Sequence, residues 1–154
     1  MPAPSNPATT VPAPTAPAST AGPIAAADAL DTGDLASPEV RTITVDDEPF
    51  VVAVVDRPVT RARGLMGVED LGDLDGMLFD LEAERVATFT MRDTLIPLDI
   101  VFFAADGTGR VMLRMEPCTA EPCPTYPSGG PARYALEVPA DSTALTADSV
   151  LVVP

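Results

Sequence analysis

Alternation is the strongest pattern in the chain. Arg41-Thr42-Ile43-Thr44-Val45 sets polar against apolar positions, and Phe50 to Val55 is a largely β-branched run. Asp46-Asp47-Glu48-Pro49 between them is turn-prone, so the two stretches predict a hairpin. At Asp56-Arg57-Pro58 the period changes. An aspartate can accept hydrogen bonds from the free N–H groups of a first helical turn, and proline fits that turn. A short helix is expected through Arg63, closed by Gly64 in a left-handed conformation. Further strands are expected at 77–81, 86–91, 99–104, 111–116, 134–138 and 150–153. Asp106-Gly107 marks a tight turn, and Gly76 after Asp73-Leu74-Asp75 another. Six or more short strands with one helix predict a mainly β fold. The expected form is a compact antiparallel sandwich or barrel, with the short helix after the first hairpin.

The strand pattern begins only near residue 39. Residues 1–27 hold seven Pro, nine Ala, four Thr and two Ser, with no charge before Asp28. A membrane-spanning helix needs about twenty mostly apolar residues. A Pro/Ala/Thr tract instead samples extended polyproline-like conformations and buries nothing. Residues 1–38 are therefore expected to be a disordered tether, and residues 39–154 a single β-rich domain of ordinary size. Met1 is followed by proline-rich sequence rather than by a basic and then apolar leader. A tether of this kind suits an exported protein or lipoprotein, joined to a membrane through an N-terminal anchor since lost. A cytosolic protein with a disordered tail is the competing expectation.

Charge narrows the chemistry. The 154 residues carry a net charge of −14, from 9 basic and 23 acidic side chains; every basic residue is arginine, and there is no lysine, histidine or tryptophan. Without histidine, Ser-His-Asp and Cys-His catalysis and histidine-ligated metal sites are excluded. Without lysine, a Schiff base and a Walker-type phosphate loop are excluded. So large an acidic excess repels nucleic acid and anionic lipid. Residues 1–40 contribute four acids and no base, and residues 41–154 nineteen acids and nine arginines. Self-repulsion on the folded part predicts stability that rises with salt.

Three blocks identify a family: Arg63-Gly64-Leu65-Met66, then Gly76-Met77-Leu78-Phe79, then Met91-Arg92-Asp93-Thr94-Leu95-Ile96-Pro97-Leu98-Asp99-Ile100-Val101-Phe102. A Pro-Cys, a Cys-Pro-Thr-Tyr and Tyr134-Ala135-Leu136-Glu137-Val138-Pro139 follow. In this order the motifs resemble the bacterial and archaeal family known as domain of unknown function 192, over residues 41–153. The resemblance implies a compact, mainly β domain, often exported or lipid-anchored, with no established activity. Thr90 stands where members often carry Trp, Arg92-Asp93 where they carry Lys-Asn, and Val68 where they carry Arg.

Asp99 is the sharpest candidate, a carboxylate inside an apolar run. It must be hydrogen-bonded or paired, or become neutral. Either it fixes the loop by bonding backbone N–H groups, Arg63 or Arg92, or it is a proton donor or ligand contact. Arg92, Asp93 and Thr94 form a polar turn or the rim of a binding site. Glu137 is expected to pair with an arginine such as Arg133 or Arg92, although with Asp99 it can also make a two-carboxylate set. Met66, Met77 and Met91 are expected to pack the core, with a thioether copper site as the alternative. Asp70, Asp73, Asp75 and Asp80 suggest a solvated loop, since the glycine and terminal glutamate of a calcium loop are missing. Cys118 and Cys123 enclose four residues, and a local disulfide is expected rather than two free thiols. Disulfides persist in oxidising compartments, which favours a periplasmic, cell-surface or secreted location.

These features predict an extracytoplasmic, tethered, monomeric β domain that needs no cofactor and binds a small ligand, glycan or protein partner. The ligand-binding candidates are Asp99, Arg92, Asp93, Thr94, Arg63 and Glu137. A carboxylate-dependent hydrolase of cell-envelope polysaccharide and a methionine-based copper protein are the alternatives.

Overall fold

The computed structural model describes residues 38–154. The expected tether lies outside the described residues apart from Pro38. The elements are β1 (Glu39–Val45), β2 (Glu48–Val55), α1 (Pro58–Arg63), β3 (Gly76–Arg85), β4 (Thr88–Thr90), β5 (Leu98–Phe103), β6 (Gly109–Met115), β7 (Thr125–Pro127), β8 (Ala132–Pro139) and β9 (Leu151–Val152). Seven strands form one curled, half-barrel sheet in the order β6-β5-β8-β3-β2-β1-β9, and β4 pairs with β7 in a second sheet. The fold is mainly β with one short helix, as the alternation predicts.

The expected hairpin is β1–β2, turned by Asp46 and Asp47 at φ 51° and 67°. The next pairing departs from the all-antiparallel expectation. β2 and β3 run parallel, with Val52 opposite Gly76 and Val55 opposite Phe79. Parallel neighbours need a long crossover, and the segment bearing α1 supplies it. Pro58 opens the helix, but Arg57 rather than Asp56 occupies the capping position. The Thr60 hydroxyl closes the turn, accepting from the Arg57 N–H (3.3 Å) and donating to its carbonyl (3.0 Å). Gly64 ends the helix as expected, but at φ 51° and ψ −130° rather than in the left-handed helical conformation.

The expected strand over 86–91 divides instead. β3 runs on to Arg85, and only Thr88–Thr90 is extended, paired to Thr125–Pro127. The register shifts between Asp80 and Arg85, where Glu82 takes φ 68°, and such a bulge re-aims a strand. Gly76 does not complete a turn. It starts β3, where an added Cβ would lie 2.2 Å from the Glu137 carbonyl oxygen. Glycine is needed there because two backbones approach closely.

The large sheet separates two cores. Leu98, Ile100 and Phe102 of β5 face one side with Phe79 and Leu65, and Val101 and Phe103 face the other with Ile43 and Leu151. Phe89 on β4 and Tyr126 on β7 pack against the first side. The Phe89 ring meets Phe79 and Phe102 edge-on, at 4.9 and 5.5 Å. The small sheet thus lies against the first face of the large one. Among the described residues no helix is long and apolar enough to cross a membrane.

Candidate functional site

Glu137 lies on that first face. In β8, Ala135 belongs to the first core while Leu136 and Val138 belong to the second, so the strand period carries Glu137 to the first side. Its neighbours across the two adjacent strands are Met77 and Ile100, both fully buried. The position calls for an apolar side chain and holds a carboxyl that is 4% exposed. No hydrogen bond or ion pair is made by this side chain among the described residues. Burial alone pushes its pKa up to about 8.

The carboxyl opens on a cavity of about 560 Å³ between α1, the outer half of β3 and the β4 segment. Leu65, Phe79, Leu81 and Phe89 form its apolar walls. Thr94, buried at 7%, lines it from the loop before β5. Three arginines also line it. Arg61 belongs to the framework: its guanidinium donates to the carbonyls of Asp56 and Asp80 (2.9 Å to the latter) and lies 3.5 Å from the Glu82 carboxylate. Arg63 faces the cavity half-buried from the last turn of α1. Arg85 sits exposed at the rim and makes no hydrogen bond or ion pair among the described residues. No acid besides Glu137 lines this space among the described residues.

The structure thus brings Arg63, Thr94 and Glu137 together and separates the other candidates. Arg92 and Asp93 line a second cleft with the 118–123 loop. There Arg92 Nε donates to Glu121 Oε1 (2.8 Å), while Glu121 Oε2 accepts from the Cys123 N–H (3.1 Å). The Arg92 guanidinium holds the Glu121 carboxyl below its usual range. The Thr94 hydroxyl links the two places, donating to the Arg92 carbonyl at 3.4 Å.

Asp99 belongs to neither place. It is 3% exposed, and its partner is Arg114 on β6 rather than Arg63 or Arg92. The backbone N–H of Asp141 donates to its second oxygen at 3.1 Å, and Arg114 also bonds Asp141 at 2.6 Å. Cross-strand register explains the pairing, since Asp99 stands directly opposite Arg114. Asp99 shares its face of β5 with Val101, of the second core, so it and Glu137 point to opposite sides of the sheet. They cannot form a two-carboxylate set.

The expected arginine partner of Glu137 is likewise absent among the described residues. Arg133 bonds Asp80 and lies 4.5 Å over the Tyr134 ring, and Arg92 bonds Glu121. Met77 and Met91 pack in the first core, whereas Met66 lines the cavity. The acidic loop is spent on local bonds: Asp70 accepts from the Gly72 N–H and Asp75 from the Val51 N–H, each at 2.7 Å. Among the described residues no three His, Cys, Asp or Glu side chains gather as metal ligands. Cys118 and Cys123 form the expected disulfide, with Cα atoms 5.5 Å apart.

A model of the family DUF192, described as uncharacterized ACR, matches residues 41–148. Two solved structures are similar. One, from Sinorhizobium meliloti 1021 and provisionally described as a transcription regulator, is 26% identical; the match covers 76% of this chain and 95% of that one, with a TM-score of 0.68. The other, a protein of unknown function from Novosphingobium aromaticivorans DSM 12444, is 26% identical over 78% of this chain and 89% of that one, with a TM-score of 0.67. A comparison with curated proteins found no match.

Proposed function

Because the chain belongs to the DUF192 family, whose description names no activity, we propose a function from the cavity itself: non-catalytic binding of a small ligand over Glu137, by a domain tethered outside the cytoplasm. One observation carries this reading. A buried carboxyl without a partner among the described residues opens on about 560 Å³ of space lined by apolar and polar side chains alike. Small-molecule sites span roughly 300–1,000 Å³ and combine apolar walls with a few polar groups. The concave shape favours a small molecule or one sugar unit of a glycan over a flat protein partner. A glycosidase needs two carboxyls about 5–10 Å apart, and among the described residues Glu137 is the one acid lining the cavity. The location rests on the Cys118–Cys123 disulfide and on the composition of residues 1–38. The acidic charge counts against nucleic-acid binding by this chain.

A thermal-shift screen tests the reading with amino acids, sugars, nucleosides and short-chain acids. Its control is Ala62→Trp, which places an indole at the mouth from the exposed side of α1. A compound that stabilises the wild type and leaves Ala62→Trp unmoved is the expected result. Equal shifts in both proteins, or none in the wild type at millimolar concentration, would overturn it.

A further inference from the structure

Glu137 and Arg85 line one cavity, and neither meets an opposite charge among the described residues. They do not pair because they stand at opposite ends of the same strand pair. Glu137 lies opposite Met77, while Arg85 lies opposite Ala132, five residues along β8. At 3.4 Å per residue that separates the two backbone positions by about 17 Å. Strand side chains stand roughly perpendicular to their sheet, so the two charged ends stay well apart, and an elongated ligand is needed to touch both. The apolar side chains of Phe79, Leu81 and Phe89 line the same cavity.

Resting on the small-ligand reading above, we infer that the cavity takes an elongated zwitterion, an ω-amino acid or short peptide, with its ammonium on the Glu137 carboxylate and its carboxylate on the Arg85 guanidinium. The reasons are electrostatic. An ionised carboxyl in this surrounding needs a cation in contact, and no ion pair to Glu137 is made among the described residues. The charged groups around Glu137 are Arg61 and Arg63 from α1 and Arg85 from β3; the β4 segment and the loop before β5 contribute only Thr88, Thr90 and Thr94. Arg61 is spent on Asp56, Asp80 and Glu82. The acidic field of the domain draws an ammonium group toward the mouth. A purely anionic ligand leaves Glu137 unanswered, and a purely cationic one makes no use of the Arg85 guanidinium at the rim. Burial keeps Glu137 protonated near neutrality, at about 8, so docking the ammonium expels its proton.

Calorimetry with 6-aminohexanoate, hexylamine, hexanoate and glucose tests the inference. The expected order places 6-aminohexanoate first. Its affinity rises roughly tenfold from pH 6 to pH 7 and levels off above pH 8, because the competent fraction is ionised Glu137. Buffers of different ionisation enthalpy register close to one proton released per ligand at pH 7. Glu137→Gln removes the pH dependence and weakens binding at least tenfold at pH 8. Arg85→Gln weakens 6-aminohexanoate and leaves hexylamine unchanged. Hexanoate or glucose binding as tightly as 6-aminohexanoate would overturn the zwitterion and leave the small-ligand reading standing. Binding of 6-aminohexanoate without proton release would also overturn it. If none of the four probes binds, the inference falls, and the broader screen then decides the small-ligand reading on its own.

Discussion

Glu137→Gln should stabilise the unliganded protein in alkali and do little in acid. Burial raises the Glu137 pKa from 4.5 to about 8. Between those values the folded state keeps a proton that the unfolded chain has released. Stability therefore falls as pH rises, by up to about 1.4 kcal/mol per unit, and levels off above pH 8. The span of 3.5 units corresponds to about 5 kcal/mol. The carboxyl is almost wholly buried, so solvent screening does not reduce this figure much. Glutamine keeps the shape and cannot ionise. Urea unfolding of both proteins at pH 5, 6, 7, 8 and 9 gives the comparison directly. The two curves should nearly coincide at pH 5, and the variant should lead by several kcal/mol at pH 9. Other titrating groups cancel in the difference. A gap constant to within about 1 kcal/mol from pH 5 to pH 9 would refute the reasoning, because Glu137 would then be as well solvated folded as unfolded.

Asp99→Asn should lower stability by about 1–3 kcal/mol in chemical denaturation, since it weakens the buried hydrogen bonds from Arg114 and the Asp141 N–H. Arg114→Ala should cost more than Asp99→Asn, because it strands a buried carboxylate whereas the guanidinium left behind is half-exposed; the reverse order would contradict that burial asymmetry. Gly76→Ala should cost at least about 3 kcal/mol or abolish folding, given the 2.2 Å approach to the Glu137 carbonyl, and an unchanged melting temperature would refute the close contact. Opening the Cys118–Cys123 bridge should cost about 2 kcal/mol on the chain-entropy account, and intact mass before and after reduction reports whether the bridge was present. The melting temperature should rise between low and molar KCl, and a flat profile would mean that the acids on the folded part do not repel one another appreciably.

Local periodicity is legible wherever one face of a strand is buried. β1, β2, β5, β6 and β8 lie within a few residues of the stretches that alternation or a continuous apolar run predicts. The disulfide was legible too, because a spacing of five allows little else. The parallel β2–β3 pairing was not, since direction depends on how the 56–75 connection crosses the sheet rather than on either strand's own residues. β4 and β7 are three residues each, too short to show a period, and the bulge at Glu82 that divides the 86–91 stretch from β3 leaves no residue signature. Asp99 was legible as a paired acid, but its partner depended on register. Arg114 lies fifteen residues away and becomes its neighbour only when β5 and β6 align.

The same register makes Glu137 stand apart. Two acids interrupt apolar strands on neighbouring positions of one sheet, and sequence alone treats them alike. The fold gives Asp99 a guanidinium and a backbone N–H, and it gives Glu137 an empty space walled by phenylalanines and leucines. A leucine at 137 would continue the apolar run of β8, and its burial would contribute about 2 kcal/mol. The carboxyl gains nothing of that kind and loses stability as the medium turns alkaline. The surrounding structure nevertheless secures the opening in front of it. The β4–β7 pair forms one wall, the disulfide closes the loop just before β7, and Glu121 within that loop holds Arg92, whose carbonyl in turn accepts from Thr94 at the cavity edge. Under the proposed function, a ligand that enters this braced opening is what meets the carboxyl.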